Sequence, residues 1–190
     1  MTEPDQARRT LRSDAERNRE NVVNAARAVF QELGADAPIA EIARRAGVGT
    51  ATLYRRFPTR DDLLGYVFAD RLAGCVDVLQ AARSNPDPWQ GLVDYITYVL
   101  DLQLRDRAFG SVFFRSFPPD SPIGRSRQES RATLRILMSA AKAAGALRQD
   151  VDEGDIELLF KASEGLLRWT PDPTGQARRL AGWLLLAFHA

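Results

Sequence analysis

The sequence predicts an all-α protein, with an N-terminal three-helix helix-turn-helix domain followed by a C-terminal helical bundle, about nine helices in all. Apolar residues recur every three or four positions in most of the chain, which is typical of amphipathic helices. Glycine- and proline-containing breaks separate these stretches. The segment 39–57, IAEIARRAGVGTATLYRRF, has the pattern of two short helices joined by a glycine turn.

The spacing of the residues in segment 39–57 matches a helix, a turn and a second helix. A stripe of apolar residues at helical spacing defines the first short helix: Ile39, Ile42, Ala43 and Ala46. Gly47 follows directly and can take the left-handed conformation that ends a helix. Thr50 is a good N-cap, so a second helix is predicted from there to Phe57.

The outward positions of the second short helix carry small, hydroxyl and basic side chains: Thr50, Ala51, Thr52, Arg55 and Arg56. No carboxylate, thiol or imidazole is among them, so the face is poorly suited to catalysis. A basic, acid-free helix face favours entry into a DNA groove. The alternative is an ordinary corner between two helices of a helical core.

Two further helices flank this pair. The first is predicted from about residue 14 to Leu33, with Gly34 as its stop. After Pro58, Thr59 and Asp62 have the spacing of a capping box, and the helix that they open is expected to continue to about residue 83.

Residues 22–68 resemble the DNA-binding domain of the TetR family of bacterial transcriptional regulators. The matching pieces are AARAVFQELG, IAEIARRAGVG and TLYRRFPTRDDLL, in this order. The resemblance implies a homodimer, a pseudo-palindromic double-stranded operator, and a second domain that binds a small effector. By the family's motif, Thr50, Ala51 and Thr52 face bases or the nearest phosphates.

The resemblance also assigns contacts with the DNA backbone. Tyr54, Arg56 and Arg60 are expected to hold the phosphates, and Arg55 could contact either bases or phosphates. Arg44, on the preceding helix, is a further phosphate candidate.

The small positive charge of the chain lies in its N-terminal part. The net charge is +1, and residues 1–60 hold 11 Arg against 8 acidic residues.

The residue types present exclude most enzyme classes. The single cysteine, Cys75, is expected to be a small buried hydrophobe, and His189 to lie in a frayed end. No metal-ligand cluster, phosphate loop or serine elbow is present in the sequence. We therefore expect no enzyme, cofactor or metal, and, without a signal-like or membrane-spanning segment, a soluble cytoplasmic protein.

The predicted domain boundaries are a flexible arm over residues 1–13, the helix-turn-helix domain over 14–58, and an effector-binding and dimerisation domain over 59–190. Arg8, Arg9 and Arg12 of the arm could follow DNA or be solvated. Within the second domain, LQLRDRAFGSVFF and AKAAGALRQDVDEGDIELLF also resemble an SbtR-like C-terminal effector domain.

The last two helices have apolar faces left over after packing on their own core. A two-fold dimer would bury these faces as a four-helix bundle. The residues assigned to this interface are Leu159, Phe160, Leu167, Leu180, Leu184 and Phe188.

The residue types of the second domain also suggest an effector pocket, with these candidate lining residues: Tyr95, Tyr98, Leu102, Phe113, Phe114 and Met138. Each of them could instead simply fill the core. We expect a ligand-responsive DNA-binding regulator, a repressor released by a small apolar or aromatic effector. The alternatives are a small helical enzyme and a helical ligand-binding or scaffolding protein that no longer binds DNA.

Overall fold

The computed structural model describes residues 19–190, apart from the side chains of residues 107 and 167–169. The predicted arm and the predicted start of the first helix lie outside this described part. The described part of α1 covers residues 19–33, and nine further helices follow: α2 (Ile39–Ala46), α3 (Thr50–Arg56), α4 (Arg60–Val67), α5 (Ala69–Arg83), α6 (Pro88–Arg105), α7 (Arg107–Phe113), α8 (Pro122–Ala143), α9 (Glu153–Trp169) and α10 (Pro173–Phe188). The all-α prediction is confirmed.

The chain divides into two compact units, one ending at Phe68 and the other covering Ala69–Ala190. The first unit is called the head and the second the effector unit. The predicted boundary lay earlier, between residues 58 and 59. The division falls later because the apolar face of α4 is buried in the head, including Leu63 and Leu64, which are fully buried.

The head is organised around α1, whose buried face is Val22, Ala26, Val29 and Phe30. Leu33, the predicted last residue of this helix, is 55% exposed. One helix was expected from residue 59 to about 83. The structure interrupts it at Phe68, whose backbone (φ −105°, ψ 8°) departs from helical values while its ring packs 6.2 Å from that of Phe30.

The effector unit is built on α6, which packs against α5, α7, α8, α9 and α10. Its buried face is Gly91, Leu92, Tyr95, Ile96, Val99, Leu100 and Gln103. Three helices of this unit start with proline in the first turn, after an N-cap side chain that accepts from the backbone: Asp87, Ser121 and Asp172. Proline suits that position because its missing N–H would have no partner there.

The proline-containing loop before α8 packs tightly on the first turn of that helix. A Cβ added at Gly124 would lie 2.0 Å from the carbonyl oxygen of Pro118, so only glycine allows this close approach.

The last residues of the chain pack against the rest of this unit. Leu147 and His189 form an antiparallel bridge, and the His189 ring packs edge-on, with its centroid 4.9 Å from that of Trp89. The expectation of a frayed end at His189 is therefore wrong. Within residues 19–190, none of the helices has the length and apolar character needed to span a bilayer.

Candidate nucleic-acid interface

The turn between α2 and α3 has the predicted geometry. Gly47 is left-handed (φ 68°, ψ 28°), and the Val48 N–H donates to the Ala43 carbonyl at 3.0 Å, closing the end of α2. The N-cap of α3 is Gly49, and Thr50 is the first helical residue rather than the cap. Leu53, 1% exposed, anchors α3 in the core of the head.

This anchoring leaves one face of α3 in solvent. The exposed residues are Thr50, Ala51, Thr52, Tyr54, Arg55 and Arg56. Tyr54 is 49% exposed, although most large apolar side chains of the head are buried. The Arg55 guanidinium donates to the Thr52 hydroxyl at 3.1 Å, so these two side chains are already held together on the outer face. The first turn of α3 contains no acidic residue, as a helix facing phosphates requires.

Arg44 lies on α2, exposed but paired. Its guanidinium makes two 2.8 Å hydrogen bonds to the Glu41 carboxylate, which also accepts from Arg45 at 2.7 Å. Arg45 in turn bridges to Glu32 of α1 at 2.7 Å. Hydrogen bonds from both guanidinium groups lower the pKa of Glu41 to about 2. The outer surface of α2 is thus a network of paired charges, in contrast to the face of α3.

Arg60 has a different environment from the one that the sequence suggested. Its Nη1 donates to the carbonyl oxygens of Ala35 and Ala37, at 2.9 and 2.8 Å, and the side chain is half-buried. These carbonyls belong to the connection between α1 and α2. Arg60 therefore ties that connection to α4, and this role differs from the predicted phosphate contact.

The effector unit contains a cluster of aromatic rings, called the ring cluster: Tyr95, Phe113, Phe114 and Phe160. The Phe160 ring centroid lies 6.5 Å from that of Tyr95, 5.9 Å from that of Phe113 and 6.5 Å from that of Phe114. The structure thus brings together three of the predicted pocket residues. It adds Phe160, which the sequence had assigned to the dimer interface.

The remaining pocket candidates lie in different surroundings. Tyr98 is 36% exposed, and its hydroxyl lies 2.5 Å from the position of a Cβ built on Gly74, so it covers α5 from outside. Met138 is buried on α8, and Leu102 is half-buried on α6.

A group of polar side chains near the ring cluster was not predicted from the sequence. Gln103 is 1% exposed, and Ser111 donates to the Glu164 carboxylate at 3.1 Å. Nearby, the Asp106 side chain caps α7 at Phe109 and pairs with Arg71 Nε at 2.8 Å. The one signal for this polar group in the sequence was Gln103, a glutamine within the apolar pattern of α6.

The residues assigned to the dimer interface need correction. Leu159 is 0%, Phe160 3% and Phe188 8% exposed within a single chain, so they leave almost no surface for a partner. Leu180 and Leu184 are half-buried, and the side chain of Leu167 lies outside the described residues. The assignment went astray because α9 and α10 both carry large apolar residues on more than one side, so the sequence pattern did not distinguish their inner faces from their outer faces. Among the residues of α9 and α10 whose side chains are described, the exposed large apolar ones are Leu158, Trp183 and Leu186, at 63%, 57% and 77%.

Cys75 is buried, as predicted, and burial raises the pKa of its thiol to about 12. Such a thiol is a packing group rather than a nucleophile at neutral pH. Among residues 19–190, no group of three or more His, Cys, Asp or Glu side chains could hold a metal ion.

Comparisons with known proteins agree with this geometry. Residues 22–67 match the profile of the bacterial regulatory proteins of the tetR family. The crystal structure of a TetR transcriptional regulator from Streptomyces coelicolor is 32% identical, with a TM-score of 0.54, over 90% of this chain and 98% of that one. An uncharacterized HTH-type transcriptional regulator of Mycobacterium tuberculosis is 29% identical over 131 residues, 67% of this chain and 68% of that protein.

A more distant structure, the regulator FadR of Bacillus subtilis in complex with stearoyl-CoA, is 17% identical and shares the fold, with a TM-score of 0.59 over 90% of this chain and 99% of that one. The SbtR-like character of the effector unit stays a prediction. The matched segment contains the whole of α2, the glycine turn and α3, with its solvent-exposed basic face. The chain belongs to the TetR family of bacterial regulators and is a DNA-binding transcriptional regulator.

Proposed function

We propose that this protein is a homodimeric repressor that binds a pseudo-palindromic operator and leaves it when a small apolar or aromatic effector binds. The observation that carries the proposal is the exposed face of α3, where hydroxyl and basic side chains stand without an acid. A face of this kind can donate hydrogen bonds to phosphates and to base edges in the major groove.

On this face, Thr50, Ala51 and Thr52 lie towards the bases, and the Tyr54 hydroxyl and the Arg56 guanidinium bind phosphates. Arg55 can turn from Thr52 to a base or a phosphate. Arg44 can reach a phosphate only by leaving Glu41, so its net contribution should be small. We reassign Arg60 to holding the head together, because its Nη1 already serves two backbone carbonyls.

The dimer is proposed to form through the exposed faces of α9 and α10. Leu158, Trp183 and Leu186 stand in solvent there, and Gly165 and Gly182 have open space beside them. Exposed apolar side chains beside glycines allow the helices of two protomers to approach closely. A two-fold pair would place two α3 helices one DNA turn apart, about 34–36 Å.

The effector is proposed to bind at the ring cluster of α6, α7 and α9. Aromatic faces and edges in this arrangement suit an apolar or aromatic body. Release of DNA depends on how well the effector discriminates between the two arrangements of the dimer. A shift in population from 99:1 to 1:99 needs about 5.5 kcal/mol of differential affinity.

The operator can be found by selection from a randomised duplex library with the full chain. We expect enrichment of a sequence with two-fold symmetry and half-sites one helical turn apart. Placed over a promoter, this duplex should lower transcription in vitro when the protein is added. Selection without any enrichment would contradict operator binding, and increased transcription would contradict the repressor mode.

Effector release is tested by screening apolar and aromatic compounds against the operator complex by fluorescence anisotropy, with Phe114→Ala as the pocket variant. We expect release by compounds of this class and a weakened response in the variant. Effectors that are all small and highly charged, or an unchanged response in Phe114→Ala, would contradict the ring cluster as the site.

A further inference from the structure

We propose that the effector site has a polar end, formed by Gln103, Ser111 and Glu164 around Gly110, which binds a primary carboxamide head joined to an apolar or aromatic body. This inference deepens the proposed effector response and rests on it. It names the chemistry of a group that the ring cluster alone does not specify.

The first observation is the state of the Gln103 amide. The residue is 1% exposed, and neither its Nε2 nor its Oε1 has a hydrogen-bond partner among the described residues. A buried polar atom without a partner destabilises the fold, so such atoms are rare in folded proteins. A buried amide with both atoms unpaired is therefore expected to be satisfied by a molecule that binds there.

The second observation is what surrounds this amide. A Cβ built on Gly110 would make ordinary contacts with the Cδ and Cγ atoms of Glu164, at 3.6 and 3.7 Å, and with Gln103 Nε2, at 3.8 Å. Gln103 of α6 and Glu164 of α9 thus converge on the same side of α7. The Ser111 hydroxyl donates to Glu164 Oε1 at 3.1 Å and so orients that carboxylate.

The third observation is that the ring cluster lies one helical turn away. Phe113, the last residue of α7, follows Gly110 by three residues, and Phe114 caps the helix directly after it. On α9, Phe160 precedes Glu164 by four residues. One turn of helix is about 5.4 Å. A ligand with its body against the rings can therefore place a head group between Gln103 and Glu164.

The donors and acceptors of this polar end define the head group. Gln103 presents a donor and an acceptor side by side, and the Glu164 carboxylate accepts and disfavours a second negative charge. A primary carboxamide matches this pattern: its carbonyl accepts from Gln103 Nε2, while its two N–H groups donate to Gln103 Oε1 and to Glu164. A carboxylate head lacks the donors, and an apolar head leaves Gln103 unpaired.

The test uses four probes with the same body: 2-naphthamide, 2-naphthoate, 2-naphthylmethylammonium and 2-methylnaphthalene. Their affinities for the full chain are measured by isothermal titration calorimetry without DNA. We expect 2-naphthamide to bind about tenfold or more tightly than each of the other three, because only it satisfies both atoms of Gln103. Equal affinities, or tightest binding of the carboxylate or the ammonium compound, would overturn the proposal.

Gln103→Met removes the amide at similar volume, and Thr133→Val is the matched control. Thr133 is another buried polar residue of the effector unit, but its hydroxyl is paired with the Glu129 carbonyl at 3.0 Å. Without any probe, we expect Gln103→Met to raise Tm and Thr133→Val not to do so. The preference for 2-naphthamide should disappear in Gln103→Met alone. A lowered Tm with the preference retained would show that the chain itself satisfies Gln103, against the proposal.

Gly110→Ala fills the gap with one methyl group at ordinary contact distances and should not disturb the fold. We expect it to retain or raise Tm while weakening 2-naphthamide about tenfold or more. Unchanged affinity would place the head group elsewhere. Because these measurements contain no DNA, they test the polar end independently of the release of the operator. A head-group preference without release would contradict only the effector response, and release without a preference would contradict only the polar end.

Discussion

The head and the effector unit use polar side chains in opposite ways. In the head, Arg44, Arg45 and Glu41 pair with one another in solvent, within one turn of the same helix. In the effector unit, Gln103 and Asp106 are buried, and Asp106 meets Arg71 from a helix far away in sequence. Exposed pairs contribute little to stability, whereas buried polar groups cost much when they are left unpaired.

This contrast fits the different functions proposed for the two units, DNA binding by the head and effector binding by the effector unit. A surface that binds a polyanion keeps its cations in water, as Arg55 and Arg56 of the neighbouring helix α3 are. A site that selects a small molecule places a few polar atoms where solvent cannot satisfy them.

The largest effect is expected from the exposed apolar face of α10. Gly182→Arg adds a long charged side chain at a position that has open space in the single chain, so the protomer should fold normally. In the proposed dimer the same side chain would be buried without a partner, at a cost of several kcal/mol. Sedimentation should show monomers, and operator affinity should fall about 100-fold or more.

The matched control for this face is Ile136→Asp. Ile136 is 53% exposed on α8, outside the proposed interface, so its charge should leave the dimer and operator binding intact. A dimeric Gly182→Arg variant, or a monomeric Ile136→Asp variant, would move the interface to another surface.

An intermediate effect is expected from the tie between Arg60 and the α1–α2 connection. Arg60→Ala leaves the carbonyls of Ala35 and Ala37 without their donor and should lower the free energy of unfolding by about 2–3 kcal/mol. Arg56→Ala should change it by less than about 0.5 kcal/mol, because Arg56 is exposed. Urea unfolding measures both. Weaker DNA binding by Arg60→Ala at unchanged stability would restore Arg60 to the phosphate contacts.

The smallest effect concerns the exposed charge network of the head. Hydrogen bonds from Arg44 and Arg45 lower the pKa of Glu41 from its ordinary 4.5 to about 2, so the folded state favours the ionised carboxylate. Its stabilising contribution is present above pH 4.5 and is lost as the pH falls towards 2. Thermal unfolding between these pH values should therefore depend on pH less steeply in Glu41→Gln. An equally steep dependence in the variant would assign the effect to other carboxylates.

The head was largely predictable because its structure is determined locally. Gly47 ends α2, Thr59 and Asp62 form the predicted capping box, and the outer face of α3 follows from helical periodicity once Leu53 is buried. Arg60 escaped prediction, since its partners lie 23 and 25 residues earlier in the chain.

The effector unit was less predictable because several of its helices are apolar on more than one side. Periodicity then identifies a helix without showing which side is inward, so Phe160 was assigned to the interface and Trp183 and Leu186 were not. The polar end of the proposed site joins residues of α6, α7 and α9. Only tertiary packing brings Gln103 and Glu164 to the same side of Gly110.

The most direct test of the α3 face as the DNA-binding surface is the salt dependence of affinity for the selected operator. We compare the wild type with a variant that combines Arg55→Ala and Arg56→Ala. The account predicts that the slope of log K against log [salt] falls in magnitude by between about two and four, because each of the two protomers loses one or two phosphate contacts. Affinity for operator and unrelated duplexes should both decrease, and Tm should stay unchanged. An unchanged slope and affinity in a stably folded double variant would contradict it.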